Sequence, residues 1–207
     1  MERDLPMPTA TRKRDPEATR RRILAAAQEL LVEGEGSLEM AWVAKAAGVS
    51  QGLAYHHFGS KDGLLEAVVN DFYDRVEDAV LMARLDEIED WERREQERVS
   101  RYIEFLLNDP LGLVVITRLA NTPAVAAVEA QRWDVLVSVG ARNMAEGQAR
   151  GAIGGTLDSE LLAAMVLGAV RAAVSRVLAS GTPQDNKQLA RDIWAFARVG
   201  LQLEESV

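Results

Sequence analysis

Apolar residues recur three and four positions apart along most of the 207-residue chain, and the alternation typical of strands is missing. In the first such stretch, Ile23, Ala27, Leu30 and Leu31 form one stripe. The pattern predicts an all-α protein of about nine helices.

Capping and turn residues divide this pattern into elements. Asp15 is a plausible N-cap with Pro16 at the first helical position, and Gly34 ends that helix. Two short helices follow, over about 38–46 and from a Ser50 cap to about residue 57, and a long helix starts after Ser60. Later helices are predicted over about 111–120, 123–150, 158–180 and 186–203.

One segment is dominated by charge. Ten of the thirteen residues from 86 to 98 are charged, which predicts a loop and a solvated helix start, and helical periodicity returns at Val99.

The predicted helix over 158–180 is apolar nearly all round. Between Leu161 and Leu178 its only polar side chains are Arg171, Ser175 and Arg176. Such a helix must be covered on more than one face. In a chain of this size a subunit interface is favoured, and a central position within one chain is the alternative.

Net charge alone argues against a polyanion partner. The chain has 24 Lys and Arg against 32 Asp and Glu, a formal charge of −8, with 48% apolar residues. Residues 1–61, however, hold nine bases and eight acids, and residues 12–22 hold six bases and two acids. That basic segment is either a solvated helix face or an arm that neutralises phosphates.

Composition also excludes several kinds of site. The absence of Cys excludes disulfides and thiolate zinc sites. Adjacent His56 and His57 point about 100° apart on a helix, so they cannot serve one metal or one catalytic pair. We therefore expect no catalytic residues, no metal and no cofactor. The longest uncharged run, 46–60, has 15 residues, which predicts no membrane span and a cytoplasmic protein.

The two short helices and their glycine turn have the proportions of a helix-turn-helix, although such hairpins also occur as plain core. Gly52 would let the backbone approach DNA, Gln51 can read a base edge and Leu53 can touch a thymine methyl. Tyr55 and His57 can donate to phosphates. Lys61 disfavours its own helix dipole, a cost that a bound phosphate would offset.

The residues Ala-Gly-Val-Ser at 47–50, Tyr-His-His-Phe at 55–58, Ser-Lys at 60–61 and Leu-Leu at 64–65 resemble the DNA-binding domain of the tetracycline-repressor (TetR) family of bacterial regulators. The match covers about residues 19–72. The resemblance implies a flexible basic arm over 1–15, a helix-turn-helix domain over 16–61, and a helical ligand-binding and dimerisation domain over 62–207. It further implies a homodimer formed through the last two helices.

Three sets of site residues are expected. The DNA-contacting set is Arg12, Arg14, Arg20, Lys45, Ser50, Gln51, Gly52, Leu53, Tyr55, His56, His57 and Lys61. The candidate ligand-binding set is Trp91, Tyr102, Phe105, Arg118 and Trp133, each of which could equally be ordinary core or surface. The dimer set is Leu161, Leu162, Met165, Ala169, Ala172, Arg176, Ile193, Ala197 and Leu201.

The sequence departs from the family pattern at three positions. Glu39 stands where Ser or Thr commonly contacts phosphate, which should weaken that contact and leave Ser37 as the cap. Leu53 replaces a frequent small polar residue. Trp42 stands at a usually polar site, where packing against the first helix is favoured over a position along the DNA backbone.

The preferred function is a repressor that leaves a palindromic operator when an unidentified small molecule binds. A helical enzyme and a protein-interaction adaptor without DNA binding are the rivals. The enzyme lacks a catalytic cluster, whereas the adaptor draws support from the acidity and from Glu39.

Overall fold

The computed structural model describes residues 15–80, 85, 87–119, 122–181 and 185–202. Within these ranges the chain forms eight α-helices and one short π-helix, and no strand, which confirms the predicted all-α class. The expected N-terminal arm up to residue 14, with Arg12 and Arg14, lies outside the described residues.

The helices follow each other with short connections. They are α1 (Pro16–Glu33), α2 (Met40–Ala46), α3 (Gln51–Phe58), α4 (Lys61–Val80), α5 (Trp91–Asn108), the π-helix (Val114–Leu119), α6 (Pro123–Ala149), α7 (Ser159–Ser180) and α8 (Asn186–Gly200).

Three predicted caps form as expected. Asp15 Oδ1 accepts from the Glu17 amide at 3.0 Å, Ser50 Oγ from the Leu53 amide at 3.2 Å, and Ser60 Oγ from the Gly63 amide at 2.9 Å. These bonds occupy amides that a helix start leaves unpaired, so each helix begins where the sequence predicts.

Helices α1, α2 and α3 pack around the first half of α4. Their shared core contains fully buried side chains from each helix, among them Ile23, Val43, Ala54 and Leu64. The second half of α4 packs on α5 and α6. Helix α4 therefore runs without interruption from the helix-turn-helix to the C-terminal helices.

The C-terminal helices are built around the α6 and α7 pair. A Cβ placed on Gly140 of α6 would lie 3.0 Å from Ala163 Cβ of α7, so the two backbones approach closely there. Helix α8 packs mainly on α5, and a second core cluster beside the first joins Trp91, Leu162 and Trp194.

The start of α5 is not solvated, contrary to expectation. Helix α5 begins at Trp91, and Arg94 and Glu95 are only 7% and 4% exposed. Arg94 pairs with Glu146 at 2.8 Å, and Glu95 pairs with Arg98 at 3.1 Å. The charges share the inner face of an amphipathic helix, and burial is tolerated because each is paired.

Two other element predictions also change. Helix α2 begins at Met40, because Glu39 has extended backbone and Leu38 is buried before the helix. The stretch predicted as an α-helix over 111–120 forms a π-helix from Val114. Both differences fall at helix ends or in short elements, where tertiary packing outweighs local pattern.

Helix α7 is long and apolar enough to cross a membrane by length and composition, which the uncharged-run criterion missed. Only 22% of its most apolar window is buried in the chain. Its Arg171 nevertheless pairs with Glu129 of α6 at 2.8 Å. This ion pair and the α6 packing are those of a helix that belongs to a globular domain.

Candidate nucleic-acid interface and ligand pocket

Helix α3 turns one face inward and leaves the other open. Ala54 is fully buried, whereas Gln51, Gly52, Tyr55 and His56 are exposed. Apart from its two chain neighbours and the nearby backbone of its own helix, no heavy atom of the described chain lies within 4 Å of where a Gly52 Cβ would be. The chain's own packing therefore does not require a glycine here, although an external surface approaching the backbone would.

The other predicted DNA contacts surround this face. Leu53 and His57 are half-buried at its edge, and Lys45 is exposed on α2. The Arg20 guanidinium of α1 lies 4.9 Å from the centre of the Phe58 ring at the end of α3. Arg20 is thereby held beside the C-terminal end of the candidate recognition helix.

Lys61, in the first turn of α4, does not stand alone. Its Nζ lies 3.3 Å from Glu39 Oε1, and both side chains remain substantially exposed. Glu39 occupies the N-cap position of α2 but makes no side-chain cap bond. Its carboxylate is directed to Lys61 instead.

Two expectations about the start of α2 are wrong. The N-cap position belongs to Glu39 and not Ser37, which precedes the buried Leu38. Trp42 is 59% exposed, so it is not packed into the core against α1. The helix needs Met40, Val43 and Ala44 for its inner face, which places Trp42 on the outer face.

A small cavity of about 50 Å³ lies between α4, α5, α6 and α7. Its walls are mostly apolar, with Val80, Val99, Leu136, Val166, Leu167 and Val170 among them. Tyr102 also lines it, and the buried Tyr102 hydroxyl has no hydrogen-bond partner in the described chain. Burial raises the pKa of Tyr102 to about 12, with Arg171 opposing and Glu129 adding to the effect.

Of the five predicted ligand residues, the structure places only Tyr102 at this cavity. Trp91 donates to the Asn143 carbonyl at 2.8 Å, and exposed Arg118 pairs with Glu35 at 3.7 Å. The ring centre of Phe105 lies 5.6 Å from that of Phe72, with the rings tilted by 56°. The ring centre of Trp133 lies 5.6 Å from the Arg171 guanidinium. The set is not brought together because its members occupy different helix faces.

A buried polar cluster beside the cavity escaped the sequence reasoning. The Tyr73 hydroxyl donates to Glu129 Oε2 at 2.9 Å, and Arg171 pairs with the same oxygen at 2.8 Å. Burial raises the pKa of the Tyr73 hydroxyl far above its usual range, although Arg171 opposes this. The available signal was Arg171 itself, since an arginine within an apolar helix needs a buried acid.

The predicted dimer residues divide into two groups. Leu161, Met165, Ala172 and Arg176 are exposed on α7, and Ala169 is half-buried between them. Leu162, Ile193, Ala197 and Leu201 are instead buried in the core of the single chain. The large exposed apolar side chains of α8 are Phe196, 70% exposed, and Val199, 80% exposed. The large exposed side chains of α8 therefore lie on a different face from the three residues predicted there.

No group of three or more His, Asp or Glu is positioned to hold a metal ion in the part of the chain that the structure describes.

The fold and the exposed α3 face define an all-helical protein with an N-terminal helix-turn-helix of the DNA-binding class. Residues 23–68 match the family model described as bacterial regulatory proteins, tetR family. This match confirms the resemblance to the TetR family over the N-terminal helix-turn-helix.

Curated relatives match over the same domain. The HTH-type transcriptional regulator BetI from Escherichia coli (strain K12 / DH10B) is 41% identical over 63 residues, which are 30% of this chain and 32% of BetI. The match thus spans about a third of the length of these relatives.

Solved structures share the whole fold. The fatty acid degradation regulator FadR from Bacillus halodurans has a TM-score of 0.79 at 20% identity, covering 93% of this chain and 100% of its own. FadR from Bacillus subtilis, in complex with stearoyl-CoA, has a TM-score of 0.73 at 21% identity, with coverages of 86% and 96%. NalD from Pseudomonas aeruginosa, the secondary repressor of the MexAB-OprM multidrug efflux pump, has 0.73 at 18%, with 94% and 100%.

Proposed function

We propose that this protein is a ligand-responsive transcriptional regulator that binds DNA as a homodimer and leaves its operator when a small molecule binds. The observation that carries the proposal is the open face of α3, with exposed Gln51 and Tyr55 around a Gly52 that the chain's packing does not require.

In this proposal α3 enters the major groove while α2 lies against the DNA backbone. Gln51 and Leu53 meet base edges, and Tyr55 and His57 donate to phosphate oxygens. Lys61 meets a phosphate at the start of α4, where the helix dipole also favours an anion. Arg20 and Lys45 add positive charge at the rim.

A second copy of the chain covers the outer faces of α7 and α8. Leu161 and Met165 on α7 and Phe196 and Val199 on α8 are large apolar side chains left in water by the single chain. Burial of such residues drives association. The dimer sets its two recognition helices about 34 to 36 Å apart, which matches successive major grooves of a palindromic site.

The effector enters the cavity beside Tyr102. A volume of about 50 Å³ is well below that of sites for drug-sized ligands, so α5, α6 and α7 must separate to admit one. Val80 at one end of α4 lines this cavity, and Lys61 at the other end belongs to the DNA face. A ligand that displaces α4 therefore changes the spacing of the recognition helices and shifts the population away from the bound form.

Selection of bound fragments from random-sequence duplexes tests the proposal. The expected product is a palindrome with half-sites about one helical turn apart. Gln51→Ala should relax selection at particular base pairs, whereas the matched control Gln131→Ala, at an exposed glutamine of α6, should leave it unchanged. Recovery of no enriched sequence by the wild-type dimer would contradict the proposal.

The Lys61 and Glu39 ion pair favours one second candidate, a protein-interaction adaptor without DNA binding. An acid already satisfies the lysine that the first proposal directs to phosphate. A DNA-binding regulator should bind a duplex most tightly at low salt. The adaptor hypothesis predicts that no duplex binding is detected under that condition.

A further inference from the structure

Trp42 is a large apolar side chain that the fold leaves in water. It is 59% exposed on α2, and within the described residues no hydrogen bond or ring contact involves its side chain. The other three tryptophans, Trp91, Trp133 and Trp194, are buried or half-buried. Covering an exposed indole with another surface lowers the free energy of the system. The position of Trp42 in the fold therefore indicates which partner covers it.

Trp42 follows, by three positions, the acid that contacts the lysine at the start of α4. With Glu39 at the N-cap of α2, Trp42 is the third helical residue, and a side chain at that position leans back towards the N-cap. The Glu39 carboxylate in turn reaches Lys61 at 3.3 Å. Glu39 and Lys61 are thus in contact, and the exposed Trp42 follows Glu39 by three positions; we call these three residues the α2 edge.

The chemistry of the α2 edge fits the DNA backbone better than a base pair. An indole carries one N–H donor and no acceptor, so it can donate to a phosphate oxygen while its ring packs on deoxyribose. The Glu39 carboxylate can only accept hydrogen bonds, and it engages the neighbouring lysine. The indole N–H is an uncharged donor, so it can donate to a phosphate without forming an ion pair with Glu39.

We infer that Trp42 is a DNA-backbone contact residue, which rests on the proposed DNA binding and adds a residue to it. The indole N–H donates to a phosphate oxygen next to the one that Lys61 meets. The contact carries no charge and reads no sequence.

Salt dependence separates this role from that of a charged contact. Loss of one lysine–phosphate contact lowers the slope of log affinity against log salt by about 0.9. Loss of the Trp42 contact releases no fewer counterions, so the affinity falls while the slope stays unchanged.

The experiment uses full-length protein and a labelled random-sequence 30-base-pair duplex, with Trp42→Phe, Trp42→Ala and Lys61→Ala compared by fluorescence anisotropy. We expect Trp42→Phe and Trp42→Ala to bind about three- to tenfold more weakly at every salt concentration. Leu157→Ala, which alters an exposed leucine outside the DNA-binding domain, is the control. Circular dichroism verifies that each variant is folded.

Tryptophan emission gives an independent measure. Addition of duplex should protect part of the wild-type emission from iodide quenching, and Trp42→Phe should abolish that protection. Unchanged affinity and unprotected emission would overturn the inference, as would a lower sedimentation mass of Trp42→Ala at unchanged affinity, which would indicate a protein contact. If Lys61→Ala weakens binding and the Trp42 variants do not, the role of Trp42 is refuted and the proposed DNA binding stands. If wild type does not bind the duplex, the proposed function fails as well.

Discussion

Lys61 Nζ lies 3.3 Å from Glu39 Oε1, so the cation at the start of α4 already has an anion of the same chain beside it. Both side chains are exposed, with 43% and 62% of their surface in water, and the pair is therefore weak and easily opened. A phosphate that meets Lys61 must compete with this carboxylate and also approach its negative charge. Glu39 thus reduces the affinity of the domain for any polyanion.

Replacing Glu39 should strengthen DNA binding. Glu39→Gln keeps the size of the side chain and removes its charge, so Lys61 is released and the repulsion of phosphate disappears. We expect affinity for a random duplex to rise by about two- to fivefold, the range of an exposed ion pair. Fluorescence anisotropy at low salt measures it.

The matched control is Glu66→Gln, which neutralises an exposed acid further along α4. The gain in affinity of Glu66→Gln should be smaller, because Glu66 forms no ion pair with a lysine among the described residues. Equal gains in the two variants would show that general acidity, and not this pair, limits DNA binding.

Two buried tyrosines should respond in opposite ways to loss of the hydroxyl. Tyr73→Phe removes the 2.9 Å bond to Glu129 and should lower the free energy of unfolding by about 1 to 2 kcal/mol. Tyr102→Phe removes a buried hydroxyl without a partner in the described chain, so stability should stay equal or rise. Urea denaturation measures both. A larger loss for Tyr102→Phe than for Tyr73→Phe would be inconsistent with these contacts.

The burial of Tyr102 should make the free energy of unfolding fall at alkaline pH. Its pKa is raised from 10.0 to about 12 in the folded chain, so the unfolded chain loses this proton first. The contribution of the protonated Tyr102 hydroxyl to the free energy of unfolding is intact below pH 10 and is lost as pH rises towards 12. Over that window the variant Tyr102→Phe should gain relative to wild type by about 1.4 kcal/mol per pH unit. Denaturation at pH 9, 10 and 11 measures the difference, and a constant difference would refute it.

The outer face of α8 should control the oligomeric state. Phe196→Asp and Val199→Asp place charge on side chains that are 70% and 80% exposed in one chain and that the proposed dimer buries. We expect sedimentation mass to fall from about twice 22.7 kDa to one chain. Leu113→Asp, at an exposed apolar residue outside α7 and α8, should remain dimeric. Unchanged mass in both α8 variants would place the interface elsewhere.

The sequence predicted best what depends on neighbouring residues. Asp15, Ser50 and Ser60 each satisfy amides two or three positions ahead, and this local chemistry identified the helix starts. The helix-turn-helix motif also predicted contact residues on α3, and the structure leaves Gln51, Tyr55 and His56 exposed there.

What depends on distant partners was missed. Arg118 was expected at a ligand, but it leans on the loop after α1, where its Cβ lies 3.1 Å from the position of a Gly36 Cβ. Ile193 and Ala197 are as apolar as Phe196, and only the packing of α8 on α5 decides which of them point inward. The buried charges of α5 required knowledge of Glu146, about fifty positions away.

The salt dependence of duplex binding shows whether Lys61 meets a DNA phosphate. For wild type, log affinity for a random duplex should fall linearly with log salt concentration, and Lys61→Ala should reduce the steepness by about 0.9. The matched variant Lys187→Ala, which alters an exposed lysine at the start of α8, should keep the wild-type slope. Absence of salt-dependent binding in wild type, or equal slopes for Lys61→Ala and wild type, would contradict the account.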